Sequence, residues 1–116
     1  MKPYIMEFLG TFFLAHAIIM SDGSSFILPG LLLIGLVYIG RHISGAHYNP
    51  VLSLIAYMQG ALSSMHMIYY MLAQTAGAVS AALLYGALMG GSFEMTLQNG
   101  AMLPVVLLHN SENLSA

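Results

Sequence analysis

The stretch Arg41-His42-Ile43-Ser44-Gly45-Ala46-His47-Tyr48-Asn49-Pro50-Val51-Leu52-Ser53-Leu54-Ile55-Ala56-Tyr57-Met58 decides how this chain folds. Residues 44–48 are small or polar and carry no apolar periodicity. Asn49 then stands where a helix N-cap belongs, and Pro50 where the first helical residue belongs. The apolar run from Val51 to Met58 is only about two turns long and stops at Gln59-Gly60. Crossing a hydrocarbon core takes roughly 17–25 mostly apolar residues. The run therefore reads as a half-helix, 49–58, that re-enters a membrane. The bare backbone before it is tolerated at that depth only where it is buried in protein or lines water.

Composition makes the membrane reading general. Of 116 residues, 59% are hydrophobic and 5% charged, against roughly 25% charged in an ordinary soluble domain. Two basic residues, Lys2 and Arg41, accompany four acidic ones, Glu7, Asp22, Glu94 and Glu112. So little charge excludes a soluble monomer and leaves no basic patch for nucleic acid. The absence of cysteine excludes disulfides and thiolate metal sites. The histidines, at 16, 42, 47, 66 and 109, do not have metal-ligand spacing, so neither metal nor cofactor is expected. No nucleophile–base pair suggests an enzyme.

Outward from the loop, spans are expected at about 4–20, 26–41 and 66–90, the second punctuated by Pro29, Gly30, Gly35 and Gly40. The fold class is then all-α and integral to the membrane, with three transmembrane helices and one re-entrant half-helix. The first span ends at Ser21-Asp22-Gly23-Ser24-Ser25, which has turn chemistry. Ala73, Gly77 and Ala81 form a small-residue stripe suited to close helix packing. Residues 91–116 read as a tail whose apolar piece, 101–108, interrupted by Pro104, lies at the interface or packs on the bundle. Lys2, the apolar residues 8–14 and Ala15-His16-Ala17 mimic a cleaved signal peptide, but Glu7 interrupts the pattern and Ile18-Ile19-Met20 carries it past the cut.

The run His42-Ile-Ser-Gly-Ala-His47-Tyr-Asn49-Pro50-Val51 resembles the first-half signature loop of the aquaporin and glycerol-facilitator (major intrinsic protein) family. Glu7-Phe-Leu-Gly-Thr-Phe-Phe resembles that family's first helix, and Gln74 with Gly77 its third, so the resemblance covers residues 4 to 90 in family order. It implies a channel for water or small uncharged solutes, with Asn49, Pro50 and Val51 as pore motif and Ser44, Gly45, Ala46, His47 and Tyr48 as pore-lining loop. Pro29, Val37 and Leu52 would stand at the constriction, Arg41 and His42 at the mouth, with Glu7 and Gln74 as structural support. Val51 replaces the family's usual alanine, and Leu52 stands where second halves carry arginine, so both constrictions of a symmetric pore would be apolar.

Family members join two such halves as inverted repeats, and this sequence resembles one half. A pore would need a second chain inserted in the opposite orientation, an antiparallel homodimer; if the family's tetramer carries over, the assembly is a tetramer of dimers, eight chains, in lipid. Lys2 and Arg41 fall on one face, and two positive charges are few enough for dual topology. The plasma membrane is the expected location. Alternatives are a non-conducting structural or truncated relative, or a half that pairs with a separately encoded complementary half. Arg41 also admits a plain reading as an interfacial, snorkelling residue, and His42 and His47 read as loop braces or as pH-sensitive gates.

Overall fold

The computed structural model describes residues 1–21, 25–89, 91–98 and 101–108, the last two stretches as backbone only. Four helices, α1 (Lys2–Ser21), α2 (Ile27–Gly40), α3 (Pro50–Met58) and α4 (Ser64–Met89), are followed by strands β1 (Gly91–Gln98) and β2 (Ala101–Leu108). Residues 22–24 of the turn expected at 21–25, and the end of the tail, 109–116, lie outside the described residues.

Helices α1 and α4 are each long and apolar enough to cross a membrane, while α2 is shorter. At 1.5 Å per residue α2 spans about 21 Å, and the turn at 41–44 continues it. Local chemistry sets the boundaries. The Ser25 Oγ accepts from the Ile27 N–H at the start of α2, and the Ser63 Oγ accepts from the His66 N–H at the start of α4. Gly60, at φ +78 with open space around it, turns the chain between α3 and α4.

Packing brings α1 and α4 together as the main seam, with α2 on α1 and α3 on α4. The seam is parallel: Tyr4 meets His66 near one end and His16 meets Tyr85 near the other. Gly77 allows the close approach, since a Cβ there would strike the Phe8 carbonyl oxygen. Of the small-residue stripe, Gly77 and Ala81 are buried and Ala73 is half-buried. Most other faces of α2 and α3 expose Leu, Ile, Val and Met side chains, as suits helices bathed in lipid or partnered by another membrane chain.

The membrane part is all-α, and the tail packs on the bundle, one of the two placements expected of it, but does so as strands. Strands β1 and β2 pair antiparallel from Gly91↔Leu108 to Gln98↔Ala101, with their backbone beside α4. The physical reason is visible in the period of two along Ser92-Phe-Glu-Met-Thr-Leu-Gln98, followed by Asn99-Gly100, a strong hairpin signal.

Candidate functional site

The site is the turn of chain that enters and leaves at α3. Asn49 is extended (φ −154, ψ 128), and its side chain accepts from the Val51 N–H at 2.9 Å. Its carbonyl accepts from the Leu52 and Ser53 amides at 3.1 and 3.2 Å. Pro50 has no N–H to satisfy, so the first turn is closed. With Oδ1 engaged, the exposed Asn49 carboxamide has its NH₂ left to offer as a donor.

This tip lies deep along the bundle. Ser53 is bonded to Gln74, ten residues, about 15 Å, into a helix about 39 Å long. Asn49 caps α3 one turn before Ser53.

What holds the loop is a carboxylate. Glu7, fully buried on α1, accepts from the Ser44 hydroxyl and the His47 amide on one oxygen. Its other oxygen accepts from the Tyr48 amide at 2.6 Å and the Gln74 Nε2 at 2.9 Å. A group that only accepts suits four converging donors. Gln74 also donates to the Ser53 Oγ at 2.9 Å. The His47 Nδ1 lies 2.9 Å from the same Oγ, in a hydrogen bond whose direction follows the imidazole tautomer. Tyr70, from α4, donates to the Ser44 carbonyl at 2.7 Å and lies against the His47 ring.

The backbone so held is unusual: Gly45, Ala46 and Tyr48 all have left-handed φ, +91, +57 and +56. Side chains of Ser44, Ala46 and Tyr48 are buried, that of His47 is half-buried, and Gly45 is exposed. The side chains of Ser44, Ala46 and Tyr48 thus face protein, and any lining the loop provides there is by its carbonyls.

The other residues singled out in the sequence are more dispersed. Val51 and Leu52 are exposed on α3 beside Asn49, and Val37 is exposed on α2. Pro29 is half-buried in a groove between α1 and α2 with Leu14, Ile18 and Leu33. Arg41 and His42 are exposed at the end of α2, where the Arg41 Nε donates to the His42 Nε2 at 3.3 Å. Ser53, Tyr70 and the depth at which Tyr48 is buried do not stand out in the sequence. Ser53 does carry a signal, as the one small hydroxyl side chain in an otherwise apolar run. Among the described residues no group of acids and histidines is arranged to hold a metal ion.

Comparison with known proteins agrees with this geometry. Residues 1–110 match the family described as Major intrinsic protein. The chain is similar to aquaporin NIP1-3 of Oryza sativa subsp. japonica, 36% identical over 105 residues, which cover 80% of this chain and 37% of that protein. It is 37% identical to aquaporin TIP1-2 of Zea mays over 75 residues, 61% of this chain and 30% of that one. Aquaglyceroporin AqpS of Rhizobium meliloti (strain 1021) is 34% identical over 90 residues, 66% and 39% of the respective chains. The chain spans under two-fifths of the length of these relatives.

Proposed function

The chain belongs to the major intrinsic protein family, integral membrane channels and not enzymes, and from that premise we propose that it supplies one half of a pore for water or small uncharged solutes. The observation that carries this reading is the capped tip of α3. An exposed carboxamide with its acceptor engaged and its donor free stands there, next to a loop whose strained backbone leaves carbonyls unspent on secondary structure. Alternating donors and acceptors along such a path replace the hydrogen bonds a single file of water loses on leaving bulk. The positive end of the α3 dipole opposes cations at the same point. Such a half-helix barrier is a general property of aquaporin-type pores, inherited here with the family.

A second half-helix must meet the first. The pore is completed by a second copy of this chain in the inverted orientation, and dimers group in fours, as eight chains in the plasma membrane. The apolar faces of α2 and α3, exposed in the single chain, support a membrane partner there. Constrictions formed by Val37 and Leu52 are greasy, which favours slow water passage or small neutral solutes over rapid water flow.

Osmotic swelling of liposomes containing the purified protein tests the reading. Wild type is expected to exceed empty liposomes for water or glycerol. Asn49→Asp, which removes the donor and adds a charge at the tip, should reduce the flux by about tenfold. Swelling equal to that of empty liposomes for both solutes would favour the non-conducting alternative. Flux appearing only after a complementary chain is added would favour a separately encoded partner.

Arg41 adds a second expectation. Exposed at the end of α2 beside His42, its charge repels cations from the mouth. Arg41→Ala is expected to raise sodium conductance across liposomes about threefold; an unchanged leak leaves Arg41 with a topological role alone.

A further inference from the structure

Tyr48 is 3% exposed, although it sits in a loop of left-handed backbone directly before the pore motif. Its ring occupies a notch that exists because two residues lack side chains. A Cβ on Gly10 of α1 would fall on the ring, and a Cβ on Gly40 of α2 would fall on the phenolic oxygen. At the bottom of the notch the hydroxyl donates to the Leu36 carbonyl at 2.7 Å. At the other end of the residue, the Tyr48 amide donates to Glu7 of α1 at 2.6 Å. One residue is therefore tied at its backbone to α1 and at its side-chain tip to α2, and its ring fills the space between them.

We propose that Tyr48 is a positioning residue that latches the re-entrant loop to α1 and α2 and thereby sets where the Asn49 carboxamide stands. Asn49 is next in the chain and exposed, so its place follows from the clamp on its predecessor. A smaller apolar side chain would fill part of the notch but would lack the fixed reach to Leu36. The functional consequence, control of which neutral solute passes, rests on the channel reading above; the latch itself does not.

The test is a double-mutant cycle between Gly40→Ala and Tyr48→Phe. The first places a methyl on the phenolic oxygen, and the second removes that oxygen. What remains around the new methyl is the ring carbon Cζ at 3.1 Å and the flexible tip of Met6 at 3.2 Å, both able to yield by a few tenths of an ångström. The chain has no cysteine, so Leu52→Cys, on the exposed flank of α3, gives a single labelling site for a charged methanethiosulfonate reagent. Gly40→Ala is expected to change the labelling rate at that site about tenfold and to shift the glycerol-to-water permeability ratio; adding Tyr48→Phe should return both to the values of Tyr48→Phe alone. Equal effects of Gly40→Ala with tyrosine or phenylalanine at position 48 overturn the proposal. Where Gly40→Ala fails to insert, recovery of insertion by Tyr48→Phe supports the latch and equal failure overturns it. A wild type that passes no solute sinks the channel reading, while the labelling cycle still decides the latch.

Discussion

Replacing Glu7 with alanine is expected to lower the unfolding free energy in detergent micelles by about 3 kcal/mol or more. The carboxylate is fully buried and receives the Ser44 hydroxyl, the His47 and Tyr48 amides and the Gln74 side chain. Hydroxyl and carboxamide can swing to other acceptors, but the two backbone amides cannot, because the loop's left-handed residues fix their direction. Each buried donor left without a partner costs about 1–3 kcal/mol. Glu7→Gln should fall between, since its own NH₂ must point at two of the four donors while its oxygen serves the rest. A denaturant titration read by tyrosine fluorescence measures the difference; Glu7→Ala unfolding at the wild-type midpoint would show that the loop holds itself.

The second large effect is expected at Gly77. A methyl there meets the Phe8 carbonyl oxygen, with the Phe12 amide nitrogen 3.1 Å away. Both are backbone atoms of α1, which cannot rotate aside as a side chain would, so α1 and α4 must separate. Gly77→Ala should cost about 1–3 kcal/mol as overpacking, and Gly77→Leu should leave little monodisperse protein. Gly35→Ala is the matched control. Nothing lies within 4 Å of the added Cβ, and the helix gains up to about 1 kcal/mol in propensity. Size-exclusion profiles and unfolding midpoints of the three variants check the contrast; equal behaviour of the Gly77 and Gly35 variants would mean that the seam is not tight.

Features written in short stretches of chain are legible in the sequence. Asn49-Pro50 before a short apolar run gives the cap and the half-helix, because both depend on neighbours a few residues away. The Glu7 contact to the loop is readable only through family resemblance, as its partners lie 37 to 67 positions off. The Tyr48 side chain, in the loop expected to line the pore, is a buried wedge. No local pattern announces that Gly10 and Gly40, on different helices, leave a notch between them. Ala46 and Tyr48 adopt left-handed φ without glycine's freedom, so nothing in their identity gives the bend away. The hairpin after α4 differs in kind. Its alternation and its Asn99-Gly100 are present in the sequence, but a length too short for a membrane span says nothing of how a stretch pairs outside one.

The left-handed backbone at Ala46 and Tyr48 has a consequence for the order of assembly. Each such residue costs about 1 to 3 kcal/mol on its own, and the strain is offset by bonds that come from both sides. Glu7 is made before the loop; Tyr70 and Gln74 are made after it. During synthesis the loop emerges after Glu7 and Leu36, which take up four of its hydrogen bonds, and before Tyr70, which supplies a fifth. The Tyr70 bond to the Ser44 carbonyl and the Gln74 bonds to Glu7 and Ser53 close only once α4 has docked on α1. The same bonds that hold the loop make its geometry a report on completion of the bundle.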